Sequence, residues 1–366
     1  MDFEYSEEQR MLADSLRRLM ADNWTMAKRR ARQGGLDPSA WNALAELGVL
    51  GLVIDAGHGG FGEPPASLLP VHLELGAGLA DEPVIPSSVM AAAAIRAGGN
   101  ADAARRWLPL IASGEAIFSV AYQEPGRRYA TEPRDCRLAG LVLDGGKHLV
   151  WHAGAAHAWI VSARDTASNE PVLLVVPADA AGATVTETNT LDRSRCGRID
   201  FKQVALSPDQ VLARGDAARA ALDLALEWGT AALCAHAVGA MARLLDLTVD
   251  YLKTRRQFGQ PLAAFQALQH RMAEMVVAKE MALSMAYVAA AALAEPDARA
   301  RRRMIAAAKL ETARAGRFIG QCAVQLHGGM GMTDELEVGD FFKRLAVVEL
   351  LFGDSAEQLA ALEETA

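Results

Sequence analysis

At 366 residues, 51% hydrophobic and 22% charged, the chain is long enough for roughly two or three packed regions and too apolar for extensive disorder. The formal net charge of −8 leaves no whole-protein basic field to hold a polyanion, so nucleic acid is not an expected partner; Arg105-Arg106 and Arg301-Arg302-Arg303 read as solvated helix faces. Four cysteines, Cys136, Cys196, Cys234 and Cys322, form no CxxC pair and no metal-ligand spacing with histidines, which argues against a disulfide framework or a metal centre.

The first residues, MDFEYSEEQRMLADSLRRLM, are acidic and amphipathic where an export signal is basic and then apolar. The Ala-rich stretches are interrupted by charges before reaching the length needed to cross a bilayer, so the expectation is a cytoplasmic protein without a membrane partner. Ser6 ahead of Glu7 and Glu8 reads as a helix cap, and helical spacing of apolar residues continues to Leu50. A glycine-rich break follows at Gly57-His58-Gly59-Gly60-Phe61-Gly62, read as a turn. Helical pattern then resumes from Leu68 to Gly114, broken near Pro83 and Pro86, which makes 1–116 a helical domain.

Over 117–213 the pattern changes to short apolar runs, AIFSVAY, LAGLVLDG, AWIVSAR, PVLLVVPAD and ATVTETNT, separated by Gly, Asp and Asn turns, as in a small β-barrel or β-sandwich domain. Helical periodicity returns over 214–366, with segments expected at 217–255, 264–294, 299–327 and 337–364, a helical bundle. The expected fold class is therefore α+β and mostly α. The segregated order argues against alternating βαβ units and a dinucleotide-binding parallel sheet.

Two strings in the last region narrow the reading. One is Tyr251-Leu-Lys-Thr-Arg255-Arg-Gln257-Phe258-Gly259, followed by Phe265-Gln266. The other is Gln325-Leu-His-Gly328-Gly329-Met-Gly331-Met-Thr-Asp-Glu335. Together they resemble the acyl-CoA dehydrogenase family over nearly the whole chain in order. AVQLHGGMGMT, VGDFFKRL and LFGDS are similar to bacterial pimeloyl-CoA dehydrogenase small subunits and steroid-catabolic relatives. The resemblance implies an N-terminal helical domain, a middle β domain, a C-terminal four-helix bundle and FAD held at a subunit interface. It also implies an acyl-CoA substrate, electron-transfer flavoprotein as partner, and a homodimer, homotetramer or heterotetramer with a paralogous chain.

The chemistry so implied removes a weakly acidic α-proton and passes a β-hydride to the flavin, which needs a carboxylate base and a rigidly placed ring. Glu335 is the base that the resemblance suggests, and burial beside substrate and flavin would tune its carboxyl. Glu337 is the rival, two residues on. Eighteen residues beyond Glu335 lies Gly353, matched to a glycine near the thioester. By the same resemblance Arg255 reaches the flavin pyrophosphate, Phe258 packs by the nucleotide, Gln266 bonds the adenosine side, and Gln325, Gly328 and Gly329 contact the dinucleotide. Glycines at such turns let backbone amides approach phosphate closely, and an arginine offers it a planar charged fork.

Several positions depart from the family pattern. Gln123, in Ala121-Tyr122-Gln123-Glu124-Pro125-Gly126, stands for a threonine at the flavin edge, and Leu149-Val150-Trp151 stands for Trp-x-Thr, leaving backbone amides at Val150 and Trp151 to serve the ring. Thr230 replaces a substrate-site arginine and Ala356 a glutamine near FAD. His152 reads as a structural hydrogen-bonder or a titrating group. These departures leave open a noncatalytic or half-site partner subunit completed by a paralogue, or an acyl-CoA oxidase, beside the autonomous dehydrogenase.

Overall fold

The computed structural model describes residues 5–32 and 35–365 and shows the expected α+β, mostly helical architecture. Six α-helices come first: α1 (Glu7–Asn23), α2 (Met26–Arg32), α3 (Pro38–Glu46), α4 (Leu68–Ala77), α5 (Ala92–Ala97) and α6 (Ala101–Ala112). The strands follow as β1 (Phe118–Ala121), β2 (Arg137–Ala139), β3 (Val142–Trp151), β4 (Ala158–Asp165), β5 (Pro171–Pro177), β6 (Ala183–Asn189), β7 (Arg195–Ala205) and β8 (Val211–Arg214). After them come α7 (Gly215–Thr254), a short hairpin of β9 (Arg256–Gln257) and β10 (Gln260–Pro261), α8 (Gln266–Ala292), α9 (Ala298–His327), α10 (Val338–Leu350) and α11 (Ser355–Glu364).

The cap expected at Ser6 forms, and Gln9 completes it: Ser6 Oγ accepts from the Gln9 amide at 3.1 Å while Gln9 Oε1 accepts from the Ser6 amide at 3.0 Å. The single helix expected over 337–364 is two, because the chain leaves helical geometry at Leu351 and passes through left-handed conformations at Phe352 (φ 59°) and Gly353 (φ 105°). Strands β7 and β8 escaped the sequence reading. The charges of Arg198, Asp200 and Lys202 mask an alternation in which Ile199 and Phe201 point inward. Helices α7 and α8 also correct the expectation on apolar length, since each is long and apolar enough to span a membrane by composition alone. Core helices meet the same criterion, and 72% of the relevant stretch of α7 is buried.

The described residues of the chain fall into two compact units. One contains the segments Arg32–Pro64 and Asp81–Gly229. Its sheet has the order β6-β7-β3-β2-β4-β5-β8, with β1 pairing parallel to β4. The sheet curls around Leu143, Trp159, Val161, Leu174, Ile199 and Phe201, all nearly or fully excluded from solvent. The register of β3 on β7 slips between Lys147 and Val150, a bulge that throws Leu149 (φ 52°) outward and turns Val150 into the core.

The other unit comprises the segments Met1–Ala31, Pro65–Ala80 and Thr230–Ala366. Here α4 and α7 meet backbone to backbone: a Cβ on Gly76 would lie 1.8 Å from the His236 carbonyl oxygen, and one on Gly239 1.9 Å from that of Leu73. Only glycine permits that approach. Asp340 bridges Arg29 Nη1 (3.3 Å) and Arg30 Nη2 (2.6 Å), tying α10 to α2. Arg344 Nη1 donates to the Ala80 carbonyl at 3.3 Å and lies 3.0 Å from His236 Nε2.

His72 is buried with neither ring nitrogen hydrogen-bonded among the described residues, and burial pushes its imidazole from 6.5 down to about 3. His236 is driven well below 6.5, first by burial and then by the neighbouring guanidinium charges of Arg344 and Arg29. Both folded values lie below the unfolded ones, so the unfolded chain takes up protons first as pH falls. Stability contributed by neutral His72 is complete above 6.5 and is lost progressively toward about 3. Between pH 6.5 and 5 that loss amounts to about 2 kcal/mol for one such group. Urea unfolding midpoints are expected to drop over this interval, and less steeply in His72→Leu; parallel pH profiles would contradict the assignment.

Candidate functional site

In the helical unit the two motifs are brought together by one aromatic contact. Tyr251, in the last turns of α7, stacks on His327 at the end of α9 with ring centroids 4.3 Å apart, and its hydroxyl donates to the His327 carbonyl at 3.2 Å. His327 Nδ1 lies 2.8 Å from the Ala323 carbonyl, and burial, opposed in part by that bond, holds the imidazole below its ordinary range. A neutral ring with Nδ1–H donating follows, and such a ring stacks on tyrosine without charge in the interface.

Beyond this contact lie residues suited to an anionic dinucleotide. Gly328 has φ 60° and ψ −141°, a conformation open essentially to glycine alone, and a Cβ on Gly328 or Gly329 would meet nothing within 4 Å. The turn is therefore unobstructed on the side a Cβ would occupy, while the Gly328 amide itself donates to the Gln325 carbonyl. Gly331 differs: a Cβ there would lie 2.7 Å from the Val324 carbonyl oxygen, so its smallness serves packing. Arg255 is held through its backbone, its amide donating to the Tyr251 carbonyl at 2.8 Å and its carbonyl accepting from the Leu262 amide at 2.9 Å. The guanidinium is exposed and forms no ion pair among the described residues. Phe258 and Gly259, at φ 53° and 82°, make the two-residue turn of the β9–β10 hairpin. Phe258 is 86% exposed, its ring edge-on to Phe265 at 6.0 Å. Gln266 and Gln325 are also exposed. An exposed cation with no ion pair among the described residues, an unobstructed glycine turn and exposed amide side chains fit a flavin dinucleotide.

Glu335 sits in the turn between the glycine loop and α10, exposed, with no hydrogen bond or ion pair among the described residues. The burial expected around this carboxyl is absent in the chain alone. Glu337 is engaged instead, its carboxylate 3.7 Å from Arg243 Nη2 and its carbonyl accepting from the Asp340 and Phe341 amides at the start of α10. Thr230 is buried and Ala356 exposed.

Gly353 lies in the link between α10 and α11. Two buried side chains hold that link: Lys309 Nζ donates to the Glu349 and Gly353 carbonyls at 3.2 and 3.1 Å, and Gln358 Nε2 to the Phe352 and Gly353 carbonyls at 3.0 and 3.3 Å. Lys309 was not singled out from the sequence, and a lysine between Ala308 and Leu310 on a helix carries no signal of burial. Burial pushes its ammonium below the ordinary range.

The three remaining candidates belong to the sheet unit. Gln123 is buried, its amide donating to the Tyr122 hydroxyl at 3.2 Å. Val150 pairs with Gly197 and Trp151 with Cys196 across β3 and β7. His152 follows with φ 56°, its ring 5.3 Å from that of Trp151.

Gly353→Ala is expected to destabilise the helical unit by about 1–3 kcal/mol, because alanine at that φ is strained. The new Cβ would also lie 2.4 Å from Gln358 Nε2. Urea unfolding measures this, and an unchanged midpoint would contradict it.

Comparison with known proteins places the chain. Residues 218–366 match the family model described as acyl-CoA dehydrogenase, C-terminal domain, and residues 6–115 the corresponding N-terminal domain. The chain is 32% identical over 362 residues to acyl-CoA dehydrogenase IpdE2 of Mycobacterium tuberculosis, covering 98% of this chain and 96% of that protein. Among solved structures it is similar to the Tcur3481-Tcur3483 steroid ACAD, with TM-score 0.88, 28% identity and 98% and 97% of the two chains covered. The ChsE4-ChsE5 complex of Mycobacterium tuberculosis shares the fold at TM-score 0.89, 24% identity and coverage of 100% and 98%. The chain belongs to the acyl-CoA dehydrogenase family.

Proposed function

We propose that the chain takes part in FAD-dependent α,β-dehydrogenation of an acyl-CoA thioester to the trans-2-enoyl-CoA, with electrons leaving to electron-transfer flavoprotein. The observation that carries this reading is the joining of the Arg255 and Gly328 motifs by Tyr251 and His327. FAD, when bound, supplies the acceptor for the β-hydride. Arg255 would hold the pyrophosphate by its fork, and Gly328 and Gly329, bare of side chains, would let the dinucleotide approach the backbone closely. Phe258, Gln266 and Gln325 would contact the nucleotide, and Gln123, Val150 and Trp151 the ring.

Glu335 is the proposed acceptor of the α-proton, supported by its place directly after the glycine loop. Its backbone amide is a donor for the charge that develops on the thioester oxygen. Gly353 and Thr230 are proposed at the substrate. The acyl group is proposed to be fatty or steroid-derived, the latter supported by similarity to a steroid ACAD.

The exposure of Glu335 favours a second reading, a half-site subunit whose reaction centre is closed by another chain. Its support includes the departures at Gln123, Leu149 and Thr230 and the apolar surface of α8, where Val276, Val277 and Met281 are 43%, 58% and 49% exposed. Such a surface calls for cover by a second copy or a paralogue, in a dimer or tetramer. The likeness to a complex of two named chains agrees with this.

Glu335→Gln in the purified assembly separates the readings. If Glu335 is the base, turnover falls by about a hundredfold or more while the flavin spectrum is retained. Undiminished turnover would remove Glu335 from the mechanism and assign the proton to a carboxylate elsewhere in the assembly.

A further inference from the structure

One buried cation joins the two segments assigned to the flavin ring in the sheet unit. Lys147, on β3, is fully excluded from solvent, and its Nζ donates to the Tyr122 carbonyl at 3.0 Å, Glu124 Oε1 at 3.0 Å and Ser162 Oγ at 3.1 Å. All three ammonium protons are thereby used. The Glu124 carboxylate, itself buried, also accepts from the backbone amides of Arg134 (3.0 Å), Asp135 (2.9 Å) and Cys136 (3.1 Å), so the loop leaving β1 closes onto its own root. The His148 amide adds a second tie to the same segment, donating to the Gln123 carbonyl at 2.9 Å.

Burying an ion pair costs desolvation that an apolar residue in the same place would avoid, and its return is often geometric. At Lys147 the geometry in question is specific. Lys147 is the last regularly paired residue of β3, opposite Ile199, before the bulge that sets Leu149, Val150 and Trp151. Its ammonium reaches to both sides of Gln123, through the Tyr122 carbonyl and the Glu124 carboxylate. A hydrophobic side chain at 147 could fill the core but could not fix that separation.

We propose that the Lys147–Glu124 pair is a positioning device that sets Gln123 against Val150 and Trp151, and so shapes the edge of the flavin ring. The inference rests on the reading of these three residues as the flavin edge. Neither Lys147 nor Glu124 touches the cofactor in this account; both act through the backbone.

The test compares the purified assembly with Lys147→Met, Ser162→Ala and Leu143→Ala, reading FAD affinity by fluorescence quenching, the visible flavin band and thermal unfolding. Leu143 lies in the same core, away from the clamp. Lys147→Met is expected to weaken FAD binding by about tenfold and displace the flavin band. Ser162→Ala, which removes one of the three bonds, is expected to shift both in the same direction by less. Leu143→Ala is expected to lower the unfolding temperature and leave band and affinity in place. If Lys147→Met does not fold, Ser162→Ala decides. Folded clamp variants with parental affinity and band would overturn the proposal, as would Leu143→Ala weakening FAD equally. A parent assembly that retains no FAD would instead overturn the flavin-edge reading, and the clamp role with it.

Discussion

Tyr251 and His327 make the contact on which the candidate cofactor surface depends. Arg255 stands one turn beyond Tyr251, and Gly328 immediately follows His327, so stacking these two rings brings a cation and an unobstructed glycine turn onto neighbouring parts of one unit. Burial keeps the His327 imidazole below its ordinary range, so the stacked ring is neutral near pH 7. Two side chains 76 residues apart thus join their motifs into one candidate cofactor surface.

The same unit shows what such placement costs. Glycines at 76 and 239 let α4 and α7 touch through their backbones, and the interior beside them carries His72, His236, Arg344 and Arg29 with Asp340 as counter-charge. Two histidines are held neutral there by burial. A core of this kind is specific in register and sensitive to acid, because each buried imidazole is a proton acceptor that unfolding releases.

Much of the fold was legible because long helices repeat their apolar residues over many turns, as α7, α8 and α9 do, and because β4 and β5 are continuous apolar runs. Strand β7 was hidden by charges on its outer face, and the break between α10 and α11 by the absence of any breaker other than Gly353. The site was legible only as motifs. Nothing in the strings reveals that Gly331 is needed for packing while Gly328 and Gly329 face open space, since that distinction lies in φ and in neighbours brought from elsewhere. Lys147 did carry a signal: four residues beyond Leu143, alternation places it on the inward face, where a lysine demands partners. Glu335 is the reverse case, a carboxylate prominent in its motif and exposed in the structure.

The central claim is that this chain places FAD beside an acyl-CoA thioester, whether alone or with another subunit. It is tested most directly by the visible spectrum of the purified assembly before and after anaerobic addition of saturated acyl-CoA thioesters, fatty and steroid-derived. An oxidised flavin band that bleaches with at least one thioester is the predicted result. An assembly without flavin, or a flavin band that no thioester bleaches, would contradict the account.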